Sequence, residues 1–166
     1  NAPTPETILS LKAGKIDFGI VSSPVDESKD YKITEVADVR DTFVASSRFG
    51  WLNGKIVGLS ELERLPTICL EKNTSTRRFV DNFLAENDVF LKPEFELATS
   101  DLIVKFAEMD MGIGCVVRSF AEESFKSGKL FELQLSKPFP KRKICIITGN
   151  KTPISQAGKK LLDTMI

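Results

Sequence analysis

Three amphipathic helical patterns in this chain each open on a turn dense in side-chain hydroxyls: Thr4-Pro5-Glu6-Thr7, Asn73-Thr74-Ser75-Thr76 and Thr99-Ser100-Asp101. Strand-like runs follow the first and third patterns and precede the second, and such close alternation of helix and strand restricts the chain to an α/β fold. A helix start also presents backbone N–H groups and a partial positive charge, and Ser or Thr there adds donors that an anionic ligand can use. The same residue types equally serve to cap their own helices. Their joint meaning depends on whether the fold brings the turns together.

Thr4 with Pro5 behind it reads as an N-cap followed by proline at the first helical position, and Gly14 closes that helix. Ile16, Phe18 and Ile20 share one face of a strand over 15–21, a weaker strand runs over 33–39, and 42–45 is short and buried. Ser60 with Glu63, and Ser119 with Glu122, form capping boxes ahead of two short helices. Strands are expected at 65–70, 112–117, 130–135 and 143–148, with 90–97 extended. Phe79, Val80, Phe83 and Leu84, then Leu102, Ile103, Phe106 and Ala107, are helical stripes that fill a core. Thr152 with Pro153 repeats the cap and first-position proline ahead of a last helix marked by Ile154, Ala157, Leu161, Leu162 and Met165.

At 166 residues the chain has the length of one domain or of two small lobes. Lys plus Arg equals Asp plus Glu at 23 each, so no global field favours a polyanion or an anionic membrane. The local basic cluster Lys141-Arg142-Lys143 reads as the solvated edge of a turn before a strand, with a phosphate contact as the alternative. Cys69, Cys115 and Cys145 each sit inside an apolar run, as small buried hydrophobes do. Their odd count, their wide spacing and the lack of histidine argue against a disulfide framework and against a zinc site, and point to a reducing compartment. No apolar stretch approaches a membrane span and no export-signal pattern opens the sequence, so the expectation is a cytoplasmic protein with no membrane partner, metal or cofactor. Catalysis is not expected either: there is no histidine base, no cysteine in an electropositive turn, and Gly112-Ile113-Gly114 lacks the rest of a dinucleotide fingerprint. Glu122-Glu123 reads as solvated surface, and Asp17, at a strand start, as structural.

Four phrases add a further layer. Leu11-Lys12-Ala13-Gly14-Lys15-Ile16-Asp17-Phe18-Gly19-Ile20-Val21 carries a leucine, glycine, aspartate pattern into a strand, and Asn73-Thr74-Ser75-Thr76-Arg77 is a hydroxyl-rich turn. Met111-Gly112-Ile113-Gly114 is a helix-to-strand glycine pair, and Gly128-Lys129-Leu130-Phe131-Glu132-Leu133 a glycine-leucine strand entry. In this order and spacing, over nearly the whole chain, they resemble the effector-binding domain of LysR-type transcriptional regulators. The resemblance implies two α/β lobes of the type 2 periplasmic-binding-protein kind, each a mixed sheet flanked by helices, joined by two crossing strands with the effector in the cleft. It maps the first lobe to residues 1–46 plus 139–166 and the second to 47–138. It matches Thr4 to an effector-contacting position of the first lobe, and Thr74 and Thr76, with Ser75 between them, to the second. Thr99 and Ser100 match near the crossing region, and Ser22 falls at a cleft-facing position. Arg77 and Arg78 either add positive field there or face solvent from a helix's first turn.

In the family a strand, a helix and a second strand precede the Thr4 turn, and the resemblance implies that this sequence starts after them, with an incomplete first lobe and without the helix-turn-helix. The implied function is ligand sensing: a small effector, a carboxylate or similar anion, bridges Thr4 and the Thr74–Thr76 turn. DNA would be contacted only through the helix-turn-helix domain of the intact regulator, a homodimer or homotetramer. The rival from outside regulation is a solute-binding protein of a transport system, which shares the lobed fold and normally carries an export signal.

Overall fold

A computed structural model of the chain describes residues 3–150 and 153–164. They fall into two compact units, one formed by Asn1–Asp38 with Arg142–Ile166 and the other by Val39–Lys141.

In the first unit, helix α1 (Thr4–Lys12) leads through Gly14, whose φ of +68° suits a residue without a Cβ, into strand β1 (Phe18–Ser22). Strand β2 (Tyr31–Val39) and the late strand β10 (Arg142–Gly149) complete a three-stranded sheet in the order β1-β10-β2, with β1 antiparallel to β10. Leu11, Val21, Tyr31, Cys145 and Ile147 form its core, with Ile8, Ile16, Val25 and Ile33 packed against it. The last helix, α5, spans Gln156–Asp163 and is capped by Ser155, whose hydroxyl oxygen accepts the Gly158 N–H at 3.1 Å. It therefore starts later than the expected cap at Thr152, which, like Met165, lies outside the described residues.

The second unit is built on a five-stranded sheet. Strands β3 (Asp41–Ser46), β5 (Thr67–Leu70), β6 (Phe95–Leu97), β7 (Ile113–Val117) and β8 (Leu130–Glu132) lie in the order β6-β5-β7-β3-β8. β5 is parallel to both β6 and β7, while β3 runs antiparallel to β7 and β8. Helix α2 (Ser75–Ala85) connects β5 to β6 and helix α3 (Ser100–Glu108) connects β6 to β7; a short helix α4 (Glu122–Lys126) precedes β8. Side chains alternate through the sheet as the pleat requires. Phe43, Cys69, Ile113 and Cys115 pack on one face with Val80, Phe83 and Leu84 of α2. Val44, Ile68, Leu70 and Val116 pack on the other with Ile103, Val104 and Ala107 of α3. The two helices thus cover opposite faces; the predicted stripe of α2 is core, while in α3 Ile103, Phe106 and Ala107 pack as expected but Leu102 is exposed and Val104 is buried instead.

Several local expectations shift. The run 130–135 is broken in two: β8 joins the large sheet, while β9 (Gln134–Leu135) pairs in parallel with β4 (Ile56–Val57) in a separate two-stranded ribbon. The short helix after β4 is a 3₁₀ segment, Leu59–Arg64, and its reciprocal cap is Gly58 with Glu61: the Glu61 carboxylate accepts the Gly58 N–H at 2.7 Å. Glu63 instead accepts the Phe90 N–H at 2.7 Å. Ser119 sits inside a 3₁₀ segment, Arg118–Ala121, and caps nothing. The unit boundaries also differ from those read in the sequence. β3 belongs with the second unit because its sheet neighbours are β7 and β8, and Phe139 does too, stacked at 5.9 Å on Phe43 and at 4.8 Å from Phe83.

Candidate functional site

β5 and β6 are parallel neighbours, so their carboxyl ends lie side by side, and from each end the chain enters a helix. Glu71, just past β5, extends the ladder by donating its N–H to the Leu97 carbonyl at 3.0 Å. The starts of α2 and α3 therefore come to one edge of one sheet, approaching from its two faces. The hydroxyl turns Thr74–Thr76 and Thr99–Ser100 are brought together here, at the edge where open α/β sheets take ligands.

The turns differ in detail from the donor arrays expected. Thr74 is the N-cap of α2: its hydroxyl oxygen accepts the Arg77 N–H at 3.1 Å and its proton goes to the Glu71 carbonyl at 3.0 Å. Its donor is engaged inside the turn and its oxygen caps the helix. Ser75 is buried and Thr76 half-buried in the first turn of the helix. Thr99 is the residue before α3 but makes no side-chain cap; its hydroxyl bonds the Asp101 carboxylate, chiefly for which Asp101 is held below its ordinary pKa. Ser100, the first residue of α3, is buried.

Arg77 does not face solvent. It is 3 % exposed, and its Nε and Nη1 donate to Asp81, Glu96 and the Leu70 carbonyl. Arg78 is exposed. Two more guanidiniums mark the same edge, Arg118 just after β7 and Arg40 just before β3. Both hold Glu132, at 2.9 and 2.6 Å, where the Thr42 hydroxyl also donates at 3.0 Å. The Arg77, Arg118 and Arg40 charges are matched by carboxylates within the unit, so beside the exposed Arg78 the edge presents hydroxyls and helix starts.

In the first unit, Thr4 is buried and occupies the first helical position, with Pro3 rather than Thr4 as the N-cap. Pro3 takes that place because its carbonyl accepts both the backbone N–H of Thr7, at 3.0 Å, and the Thr7 hydroxyl, at 3.1 Å. α1 runs back along β1 so closely that a Cβ on Gly19 would stand 2.5 Å from the Thr7 methyl. Thr4, one turn earlier, and Ser22, at the end of β1, consequently lie toward the same end of this unit. Next to Ser22 the Ser23–Pro24 peptide is cis, and Ser23 is held by β10: it donates its N–H to the Lys143 carbonyl at 2.8 Å and accepts the Lys143 N–H on Oγ at 2.9 Å. Arg142 is buried, donating to the Ser23 carbonyl at 3.0 Å, so the basic cluster is not simply a solvated turn. The burial of Arg77 and Arg142 escaped the sequence reading. The acidic residue one turn beyond Arg77, at Asp81, was the available signal for the first; nothing local marks the second.

A shallow hollow of about 430 Å³ lies at the opposite end of β1, lined by residues 14–18 with Ala157, Gly158 and Leu161. It contains none of the hydroxyl turns. Among the described residues no group of three His, Cys, Asp or Glu side chains is placed to hold a metal, and no helix is long and apolar enough to cross a membrane.

Comparison with known proteins bears on this geometry. A curated relative, a probable RuBisCO transcriptional regulator of Cyanidium caldarium, is 25 % identical over 159 residues, covering 90 % of this chain and 49 % of the relative. The chain spans about half the length of the curated relatives it matches. Among solved structures, the Synechocystis PCC6803 CcmR regulatory domain in complex with 2-PG superposes with a TM-score of 0.85 at 19 % identity, over 99 % of this chain and 78 % of that one. The effector-binding domain of QuiR in complex with shikimate gives 0.82 at 20 % identity, over 98 % and 76 %. These likenesses establish the fold, the two-lobed type 2 periplasmic-binding-protein-like arrangement of mixed sheets flanked by helices. The family model for the LysR substrate binding domain matches residues 2–166, and the chain belongs to that family.

Proposed function

We propose that this chain is the ligand-sensing part of a LysR-type transcriptional regulator, and that it binds a small effector with neutral donors and helix starts rather than with a free cation. The observation that carries the reading is the convergence of two hydroxyl-bearing helix starts on the carboxyl edge of β5 and β6. Thr76, Ser75 and Ser100, with the first N–H groups of their helices, are the contacts on this unit; Thr99 and Thr74 hold the turns in shape. Within the first unit taken by itself, Thr4 and Ser22 are the candidate contacts. Such a set suits a carboxylate or similar anion, since charge-assisted bonds of roughly 1.5–3 kcal/mol each need no buried counter-charge. The relatives' ligands, 2-PG for CcmR and shikimate for QuiR, fit the same description of a small polar guest.

In the intact regulator, effector binding would act on a helix-turn-helix domain and so on DNA, within a cytoplasmic homodimer or homotetramer and without catalysis. Binding shifts the conformation only as far as its affinity differs between the two states. Calorimetry with 2-PG and shikimate on wild type, Thr76→Ala and Ser100→Ala tests the site: each variant is expected to lose about tenfold in affinity for the probe that the wild type binds. Unchanged affinity in both would remove this edge from the site.

A further inference from the structure

Arg77 lies beneath the start of α2, and its acceptors belong to three different pieces of the second unit. Nε donates to both Asp81 oxygens at 2.9 Å, one turn along α2. Nη1 donates to the carbonyl of Leu70, the last residue of β5, at 2.7 Å, and to Glu96, in the middle of β6, at 3.0 Å. The turn bearing Thr74–Thr76 starts where Leu70 ends, and the turn bearing Thr99 and Ser100 starts where β6 ends. Burial alone would drive such a group toward neutrality, but the hydrogen bonds to Asp81 and Glu96 more than offset it and the guanidinium stays charged.

We propose that Arg77 is a positioning residue of the effector site: by gripping β5, β6 and α2 at once it fixes the spacing of the two hydroxyl-bearing helix starts without touching the ligand. This rests on the effector reading above. A guanidinium suits the task because its planar fork holds several acceptors in fixed directions, which a lysine ammonium, a point charge on a flexible stem, does not. The same cation stands between Asp81 and Glu96, whose carboxylates oppose an incoming anion. Geometry and charge can be separated, because lysine keeps the charge and loses the fork, while glutamine loses both.

The experiment compares Arg77→Lys and Arg77→Gln with wild type in the full chain, using 2-PG and shikimate as calorimetric probes and amide hydrogen exchange at 71–76 and 98–101. Arg77→Lys is expected to weaken the probe that the wild type binds by about tenfold. It should also speed exchange in both turns while β7 stays protected, and Arg77→Gln should do at least as much. Wild-type affinity in the lysine variant overturns the proposal: with exchange raised it leaves Arg77 a role in the fold alone, and with exchange unchanged it leaves a role in charge screening. Faster exchange in only one turn overturns it as well, since Arg77 would then not couple the two. If the wild type binds neither probe, the effector reading is what fails, and the exchange pattern in the two turns still decides whether Arg77 couples them. Should Arg77→Lys not fold, Asp81→Ala, which removes one of the three grips, is judged by the same two readouts.

Discussion

Asp17 and Ser155 stand 138 residues apart and share two hydrogen bonds: the Ser155 N–H reaches Asp17 Oδ1 at 3.2 Å and its hydroxyl reaches Oδ2 at 2.5 Å. Since the same hydroxyl oxygen caps α5, one carboxylate ties the approach to β1 to the start of the last helix. The Ser155 bonds hold the Asp17 pKa below its ordinary 3.8. A carboxylate with a depressed pKa in the folded state adds stability above its unfolded value, and that stability disappears as the pH falls through the folded value. Asp17→Ala is expected to lower the thermal midpoint at neutral pH, with the gap to wild type closing as the pH drops below 3.8. A gap that stays constant through an acid titration of Tm would show that the charge plays no part.

Gly112 and Gly114, which drew notice as a helix-to-strand pair, are held by close approach rather than by unusual backbone. A Cβ at Gly112 would stand 2.6 Å from the Pro66 carbonyl oxygen, and one at Gly114 2.7 Å from the Ile103 γ-methyl. The Pro66 oxygen belongs to backbone and accepts the Ile113 N–H, so it has little room to move. Gly112→Ala is expected to destabilise by about 1–3 kcal/mol in urea unfolding, as overpacking in a core does. Gly50→Ala, where an added Cβ meets nothing within 4 Å, serves as the near-neutral control.

Thr74→Ala separates capping from ligand contact. Loss of the cap on α2 should cost about 1 kcal/mol of stability. Because the Thr74 proton already goes to Glu71, effector affinity should change by less than about tenfold. Calorimetry alongside urea unfolding checks both halves, and an affinity loss of about tenfold or more in Thr74→Ala would reverse the assignment.

How much of this was legible in the sequence depends on the range of the interaction. The stripe Phe79, Val80, Phe83 and Leu84 was readable because a helix repeats every 3.6 residues and only one face meets the sheet. Gly14 was readable because its turn needs a positive φ. The break at Leu133 was not, because 130–135 alternates as one strand should and only the partners differ: Leu133 donates to the Phe43 carbonyl, and beyond it the chain turns to β4. The hydroxyl turns were found by composition, yet which hydroxyls are spent locally was decided by neighbours such as Glu71 and Asp101, whose positions follow from turn geometry. Arg77 reads as a surface residue until Glu96, brought close by the parallel pairing of β5 and β6, gives it a second anion.

The cysteines offer a check on the sheet itself. The pairing of Ile68 with Gly114 puts Cys69 beside Cys115 on neighbouring strands. Burial pushes the Cys69 thiol up to about 12 and the Cys115 thiol well above its usual value. A thiolate-specific reagent at neutral pH is therefore expected to leave both unmodified in the native chain and to label them in denaturant. Rapid labelling of either without denaturant would mean that β5 and β7 part readily.

The apolar layers on the two faces of the large sheet are separate, and each carries one of the two helices whose starts meet at the carboxyl edge. Substitutions in one layer can retune one lip of that edge and leave the other as it was. A lineage can thus drift toward a new signal molecule by repacking hydrocarbon far from the guest, a route open to relatives that share the architecture while agreeing at only one residue in five.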